Sequence, residues 1–202
     1  MAASSPYVIT RFSAAEPSYP YDESKFYELV LYIAGAFRDD LTFGRIKLAK
    51  LIFNSDVRAM RKLGHPISGV TYIKDTWGHN PKQLLLAELD LSAEGDAEII
   101  IGDGKEEPRF IRDDDRRRLV PHRSANLALI PDSEKVLVDA VIEQYRLTPA
   151  IAMSDESHQT LGWQVTEWKK PIPLETLSVR RPTVRELEHG SEIARHLDLS
   201  AE

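Results

Sequence analysis

The chain has 202 residues, of which 42% are hydrophobic and 29% charged, with a formal net charge of −6. Such a chain is long enough to bury a real core, and its composition excludes a collagen-like or wholly disordered protein. The absence of cysteine excludes disulfides, thiolate nucleophiles and Cys-ligated zinc or iron–sulfur clusters. The charge is net −2 over residues 1–100 and −4 over residues 101–202, so no basic half is present to attract a phosphate backbone, and no direct nucleic-acid binding is expected. The first thirty residues lack a basic start followed by an apolar run, and no window reaches ~18 uninterrupted apolar residues. The chain therefore reads as cytoplasmic, with no membrane partner.

Residues 1–21, rich in Ala, Ser, Pro and Tyr without a period, read as a flexible N-terminal arm. The globular domain is expected over residues 22–176, and residues 177–202 as a C-terminal extension carrying an amphipathic helix. Phe26, Leu29, Val30, Ile33 and Phe37 stand at helical spacing, with Asp22 or Ser24 as N-cap. The segment Gly44–Leu63 is the clearest helix: Thr42 can cap it, Gly64 can close it, and Ile46, Ala49, Phe53, Val57 and Met60 form one face. Leu48, Leu51 and Ile52 extend the apolar surface around most of its circumference, which predicts a central helix packed from several sides.

Gly64-His65-Pro66 turns the chain into an extended piece over Ile67–Lys74. Trp77-Gly78-His79-Asn80-Pro81 then reads as a loop, with Asn80 capping and Pro81 opening the next helix, which carries Leu84, Leu85, Leu86 and Leu89. Ala97–Ile101 and Arg109–Ile111 flank Gly102-Asp103-Gly104 as a short β-hairpin, and Leu119–Val120 adds a strand. Pro131-Asp132-Ser133-Glu134 opens a helix with Val136, Leu137, Ala140, Val141 and Tyr145 at 3–4 spacing, and a short helix follows from Pro149 to about Ser157. Lys169–Pro182 reads as extended. Thr183 and Glu186 form a capping box for a last helix with Val184, Leu187, Ile193 and Leu197, interrupted by Gly190.

Motifs for catalysis are weak. Gly102-x-Gly104-Lys105 lacks the four-residue spacing and the Lys-Ser/Thr pair of a phosphate loop, and reads as a turn. The six histidines form no H-E-x-x-H, and Glu186-x-x-His189 is one copy of a spacing that di-iron bundles use twice. No G-x-S-x-G appears. Asp113-Asp114-Asp115-Arg116-Arg117-Arg118 reads as a self-neutralising surface. Trp77, Trp163 and Trp168 stand at loop or helix-end positions where an indole can bury its body and still donate its N–H.

One stretch carries a family signature. Arg45–Asp56, RIKLAKLIFNSD, is followed by Gly64, Pro66, Ile67, Ser68 and Gly69, and then by Tyr72. It resembles the central motif of the SocA-like Panacea domain, a helix of the form K-L-x-K-L-x-[YF]-x-[AS]-[DH] and a Y-G-x-P-[IL]-[TS]-G turn. Leu63 replaces the usual Tyr, and His79-Asn80-Pro81 departs from the usual Gly-Pro after Trp77-Gly78. Ser157-His158, Trp163 and Pro171-Ile172-Pro173 resemble later family elements, so the likeness covers roughly Ser24–Glu175.

The resemblance implies a mainly α fold with a small β element (α+β), a compact helical domain with a short hairpin. It also implies an antitoxin that neutralises a protein toxin by direct contact. One branch of the family delivers its toxin to an AAA+ protease, which makes such a protease a second possible partner; some members add a DNA-binding domain, and none is evident in this sequence. The surfaces singled out for the toxin are the sides of the motif helix at Lys47, Lys50 and Arg58, read as exposed, and the loop residues Tyr72, Trp77, His79 and Asn80. No cofactor, metal ligand or catalytic residue is expected. The remaining alternative is an enzyme using Asp113–Asp115 with His122 or His79 and a divalent metal.

Overall fold

The computed structural model describes residues 19–101, 117–177, 179 and 184–196. It is mainly helical, with two small antiparallel sheets. Helix α1 spans Glu23–Ala36; Asp22 is its N-cap and accepts from the Lys25 N–H at 3.0 Å. Helix α2 spans Arg45–Leu63 and ends on Gly64 at φ 79°, the left-handed conformation that closes helices without a Cβ penalty. Thr42 is not its cap: Gly44 takes that position, and Thr42 turns back to Asp40, donating through both its N–H and its hydroxyl.

The broad apolar surface of α2 does place it at the centre. Leu48, Leu51 and Ile52 are fully enclosed, and α2 packs against α1 and against the helices α4 (Asp132–Tyr145) and α5 (Ala150–His158). Each such aliphatic side chain contributes roughly 1.5–3 kcal/mol by its removal from water.

Strands β1 (Tyr72–Asp75) and β2 (Gly78–Pro81) form a tight hairpin, pairing Tyr72 with Pro81 and Asp75 with Gly78. Asn80 and Pro81 therefore belong to a strand and do not open a helix. Helix α3 starts later, over Leu84–Ala93, and buries Leu84, Ala87, Glu88 and Leu91 at helical spacing. The outer edge of β1 is also paired: Ile73 bridges Pro171, and the Ile172 N–H donates to the Tyr72 carbonyl at 2.8 Å. The segment Trp168–Pro173, which turns at Trp168–Lys169 and then runs alongside β1, is thus a strap across the hairpin, and a 3₁₀ turn follows at Leu174–Thr176.

Strand β3 (Ala97–Ile101) pairs with β4 (Arg117–Pro121), Ala97 opposite Pro121 and Ile101 opposite Arg117. The strand expected at Leu119–Val120 is part of β4, while the expected partner Arg109–Ile111, with Gly102–Gly104 and Asp113–Asp115, lies outside the described residues. Glu28 of α1 holds the loop after β4 through a bidentate pair with Arg123 (2.8 and 2.9 Å) and the Asn126 N–H. A short helix the sequence reading missed, α6 (Leu161–Val165), is capped by Thr160. The last helix, α7 (Val184–His196), runs through Gly190 without a break, while Thr183 of the expected capping box is not among the described residues. No helix of the described residues is long and apolar enough to cross a membrane.

Candidate functional site

The motif residues of α2 converge on two buried polar centres. The first is Asp56, fully buried, whose carboxylate accepts from the Ile67 N–H (2.8 Å), the Ser68 N–H (2.9 Å), the Ser68 hydroxyl and the Tyr72 hydroxyl (2.7 Å). Burial pushes its pKa up, and these four donors oppose the shift by favouring the charged form. The turn after α2 is therefore a clasp closed on a carboxylate. Gly69, at φ 63°, completes it, because a Cβ there would stand 2.7 Å from the Pro20 carbonyl oxygen.

The second centre lies six residues earlier on α2, nearly two turns away. Lys50 is fully buried and its Nζ donates to the His79 carbonyl at 2.9 Å, anchoring β2 to α2. Burial pulls the pKa of Lys50 down to about 7, against a smaller opposing pull from Asp75. The imidazole of His79 stacks on Phe53 at 4.0 Å and meets Tyr72 edge-on. Thr160 Oγ1 gives its proton to the Ser157 carbonyl, so it accepts from His79 Nε2 at 3.2 Å. His79 is thereby held neutral, its pKa lowered to about 2 by burial and then by the neighbouring Lys50 and His158, and its buried Nδ1 has no hydrogen-bond partner.

Gly78 joins these groups. Its φ is 93°, and a Cβ would fall 2.1 Å from Ser157 Oγ, 3.1 Å from Lys50 Nζ and 3.3 Å from His158 Cδ2. Only glycine allows hairpin, α2 and α5 to meet so closely. Beyond it, His158 stacks on Trp163 at 4.1 Å, and Lys74 lies over the same indole at 4.4 Å while donating to the Thr166 carbonyl. Trp163 Nε1 is buried without a hydrogen-bond partner.

The residues singled out for a partner divide by accessibility. Lys47 and Lys50 are 3% and 1% exposed, so the expectation that they ride on an exposed helix side is corrected. Lys47 donates to the Arg146 carbonyl at 2.8 Å, lies near Asp40 and covers the Phe37 ring; burial lowers its pKa and Asp40 partly restores it. Tyr72 and His79 are also enclosed. Arg58, Trp77 and Asn80 are half-buried; Arg58 bonds the Gln144 side chain, and Asn80 donates to Asp75 at 3.2 Å.

The stretch from Leu48 to Gln164 matches the family described as antitoxin SocA-like, Panacea domain. The chain belongs to the SocA-like Panacea family. No curated protein and no solved structure gives a significant match. In this Panacea domain the signature residues Lys50, Asp56, Ser68, Gly69 and Gly78 are spent on internal contacts. They lock a β-hairpin and its strap onto the central helix.

The structure adds the exposure of Trp168, already singled out with the other indoles, and a groove that the sequence reading missed. Trp168 is 53% exposed on the strap, next to Lys169, whose φ of 61° is rare for a residue with a side chain and whose Nζ pairs with Asp75 at 2.7 Å. A groove of about 460 Å³ runs between α2, α4 and α5, floored by Phe53, Val57 and Val141, with Arg58, Arg61 and Lys62 along one rim. Arg61 and Lys62 share a helix side with Arg58, which the sequence already singled out; nothing local announced the groove.

Of the residues named for a metal-dependent enzyme, Asp113–Asp115 lie outside the described residues. Among the described residues no three His, Cys, Asp or Glu side chains are grouped to hold a metal, His79 is walled in, and His122 contacts the Gly95 carbonyl at 3.1 Å.

Proposed function

We propose that this Panacea domain is the antitoxin of a toxin–antitoxin pair, that it acts by binding its cognate protein toxin directly, and that it performs no catalysis. The family match carries the antitoxin role. The architecture supports binding over catalysis: the side chains with reactive chemistry, Lys50 and His79, are sealed behind a glycine contact with no room for a substrate.

The surface proposed for the toxin is the β1–β2 turn with the strap beside it. Trp77 and Asn80 keep accessible atoms there, and Trp168 offers a large amphipathic ring of the kind that dominates binding energy at interfaces. The hairpin is tied to α2 by Lys50 and to the strap by Asp75–Lys169, so these side chains are preorganised and lose little freedom on binding. The acidic net charge would speed encounter with a basic toxin.

The test is co-expression with the protein encoded beside it, scoring growth rescue and then co-elution. Rescue with a stable complex supports neutralisation by contact. Rescue with loss of the toxin that depends on an AAA+ protease replaces it by delivery, and no rescue with no complex rejects that neighbour as the partner.

A further inference from the structure

Helix α3 carries apolar side chains on every side of its axis, a pattern that ordinarily belongs to a helix covered all round. It is covered on one side only. Leu84, Ala87, Glu88 and Leu91 face the core, whereas Leu86 and Leu89 are 54% and 47% exposed and Ala93 is exposed beside them. At about 100° per residue, Leu86, Leu89 and Ala93 fall within about 60° of one another, on the side of the axis opposite the core residues.

The ends of this stripe are charged, and each charge has the sign that the helix disfavours. Lys82 stands two residues before α3 and Glu94 is its C-cap, both exposed, and α3 has no acidic residue in its first turn and no basic residue in its last. The helix dipole favours anions at the N-terminus and cations at the C-terminus, the reverse of this arrangement. Neither side chain joins an ion pair or a side-chain hydrogen bond among the described residues. Asp90, on the flank of the stripe, is engaged by the Tyr27 hydroxyl.

A second copy laid antiparallel on this face matches every one of these features. Lys82 and Glu94 are twelve residues apart, Leu86 and Leu89 three, and the midpoints of the two pairs differ by half a residue. The two-fold axis that sets Leu86 of each chain against Leu89 of the other therefore also brings Lys82 of each chain to Glu94 of the other. A self-complementary patch of this kind is what an isologous contact requires.

We propose that this face of α3 is an interface between two copies of the chain, in which the α3 helices run antiparallel, the stripes of Leu86, Leu89 and Ala93 pack together, and two Lys82–Glu94 ion pairs close the ends. The opposed helix dipoles favour the same orientation. A contact centred on one ten-residue helix belongs with the small, weak and reversible interfaces, below about 1,200 Å². None of its residues lies in the β1–β2 turn or the strap, so this interface is separate from the surface proposed for the toxin.

Light scattering coupled to size exclusion, on the full chain from about 5 to 500 µM at low salt, tests this. The expected result is an average mass that climbs from one chain towards two as concentration rises. Leu86→Glu, at a site exposed in the single chain, should weaken pairing at least about tenfold without lowering the melting temperature of the dilute chain. Lys82→Glu alone and Glu94→Lys alone should each weaken it about tenfold at low ionic strength, where exposed charges act most strongly. Each should leave the dilute chain as stable as before or more so, because the new charge agrees with the helix dipole. The double variant, Lys82→Glu with Glu94→Lys, should restore pairing. A chain that stays monomeric at the highest concentration overturns the proposal, as does a dimer indifferent to Leu86→Glu or to the single charge changes, or one that the double change does not restore.

Discussion

The ammonium of Lys50 reaches across the core to the backbone carbonyl of His79, 2.9 Å away, and this bond fastens the β-hairpin to the central helix. A lysine in that position is held between two costs. Charged, it lacks the water it would have outside; neutral, it still donates to the carbonyl but gains no ion-pair energy.

This predicts a pH-dependent stability traceable to one residue. The pKa of Lys50 falls from the ordinary lysine range near 10.5 to about 7 on folding. Between those values the unfolded lysine holds a proton that the folded one has released, so unfolding takes up a proton and stability rises with pH. The slope from Lys50 approaches about 1.4 kcal/mol per pH unit inside that interval and vanishes below it. Lys50→Met keeps the side-chain volume and abolishes the titration. Urea denaturation at pH 7, 8 and 9 should therefore show wild type gaining on the variant at each step; parallel curves would mean that Lys50 titrates normally.

Asp56 should be the costliest polar residue to truncate. Asp56→Ala strands four donors in the core and is expected to lose about 3–5 kcal/mol, whereas Asp56→Asn keeps the shape and part of the bonding and loses about 1–3 kcal/mol. Chemical denaturation of the two variants side by side gives the comparison, and equal losses would show that the carboxylate charge contributes nothing beyond shape.

Gly78 gives a prediction about coupling. Gly78→Ala should cost about 2–4 kcal/mol, combining a positive φ with a clash against Ser157 Oγ, a hydroxyl itself fixed by its bond to the Ser154 carbonyl at 2.8 Å. Ser157→Ala removes the clashing atom and leaves the φ penalty. A double-mutant cycle is expected to return at least about 1 kcal/mol of favourable coupling; additivity would mean the clash is relieved elsewhere.

Trp168 separates binding from folding. As an exposed residue, its replacement by alanine should change stability by no more than about 0.5 kcal/mol. If the strap meets the toxin, the same change weakens the complex by about 30-fold or more, the loss typical of a central aromatic anchor. Calorimetric titration with the toxin, paired with a thermal melt, reads both; unchanged affinity places the interface elsewhere.

The long helices α1, α2 and α4 were legible in the sequence, because their signals are local. The 3–4 spacing of Phe26, Leu29, Ile33 and Phe37, and the near-circumferential apolar surface of α2, follow from burial on a 3.6-residue period, and Gly64 ended α2 as its freedom at positive φ requires. The family signature was legible too, since it is a string of residue types. What those types do was decided only by tertiary structure. Charge predicts exposure as an average, yet Lys47 and Lys50 are buried because carbonyls of Arg146 and His79, 99 and 29 residues away, come within reach of their ammonium groups.

The same holds for the hairpin. Asn80-Pro81 has the local chemistry of a helix start, but pairing with Tyr72–Ile73 and the strap beyond them satisfies more backbone than an earlier helix turn would. The meeting of Lys50, Gly78 and Ser157 is a contact among segments far apart in the chain. No period or cap encodes it, and it exists only once the core has closed.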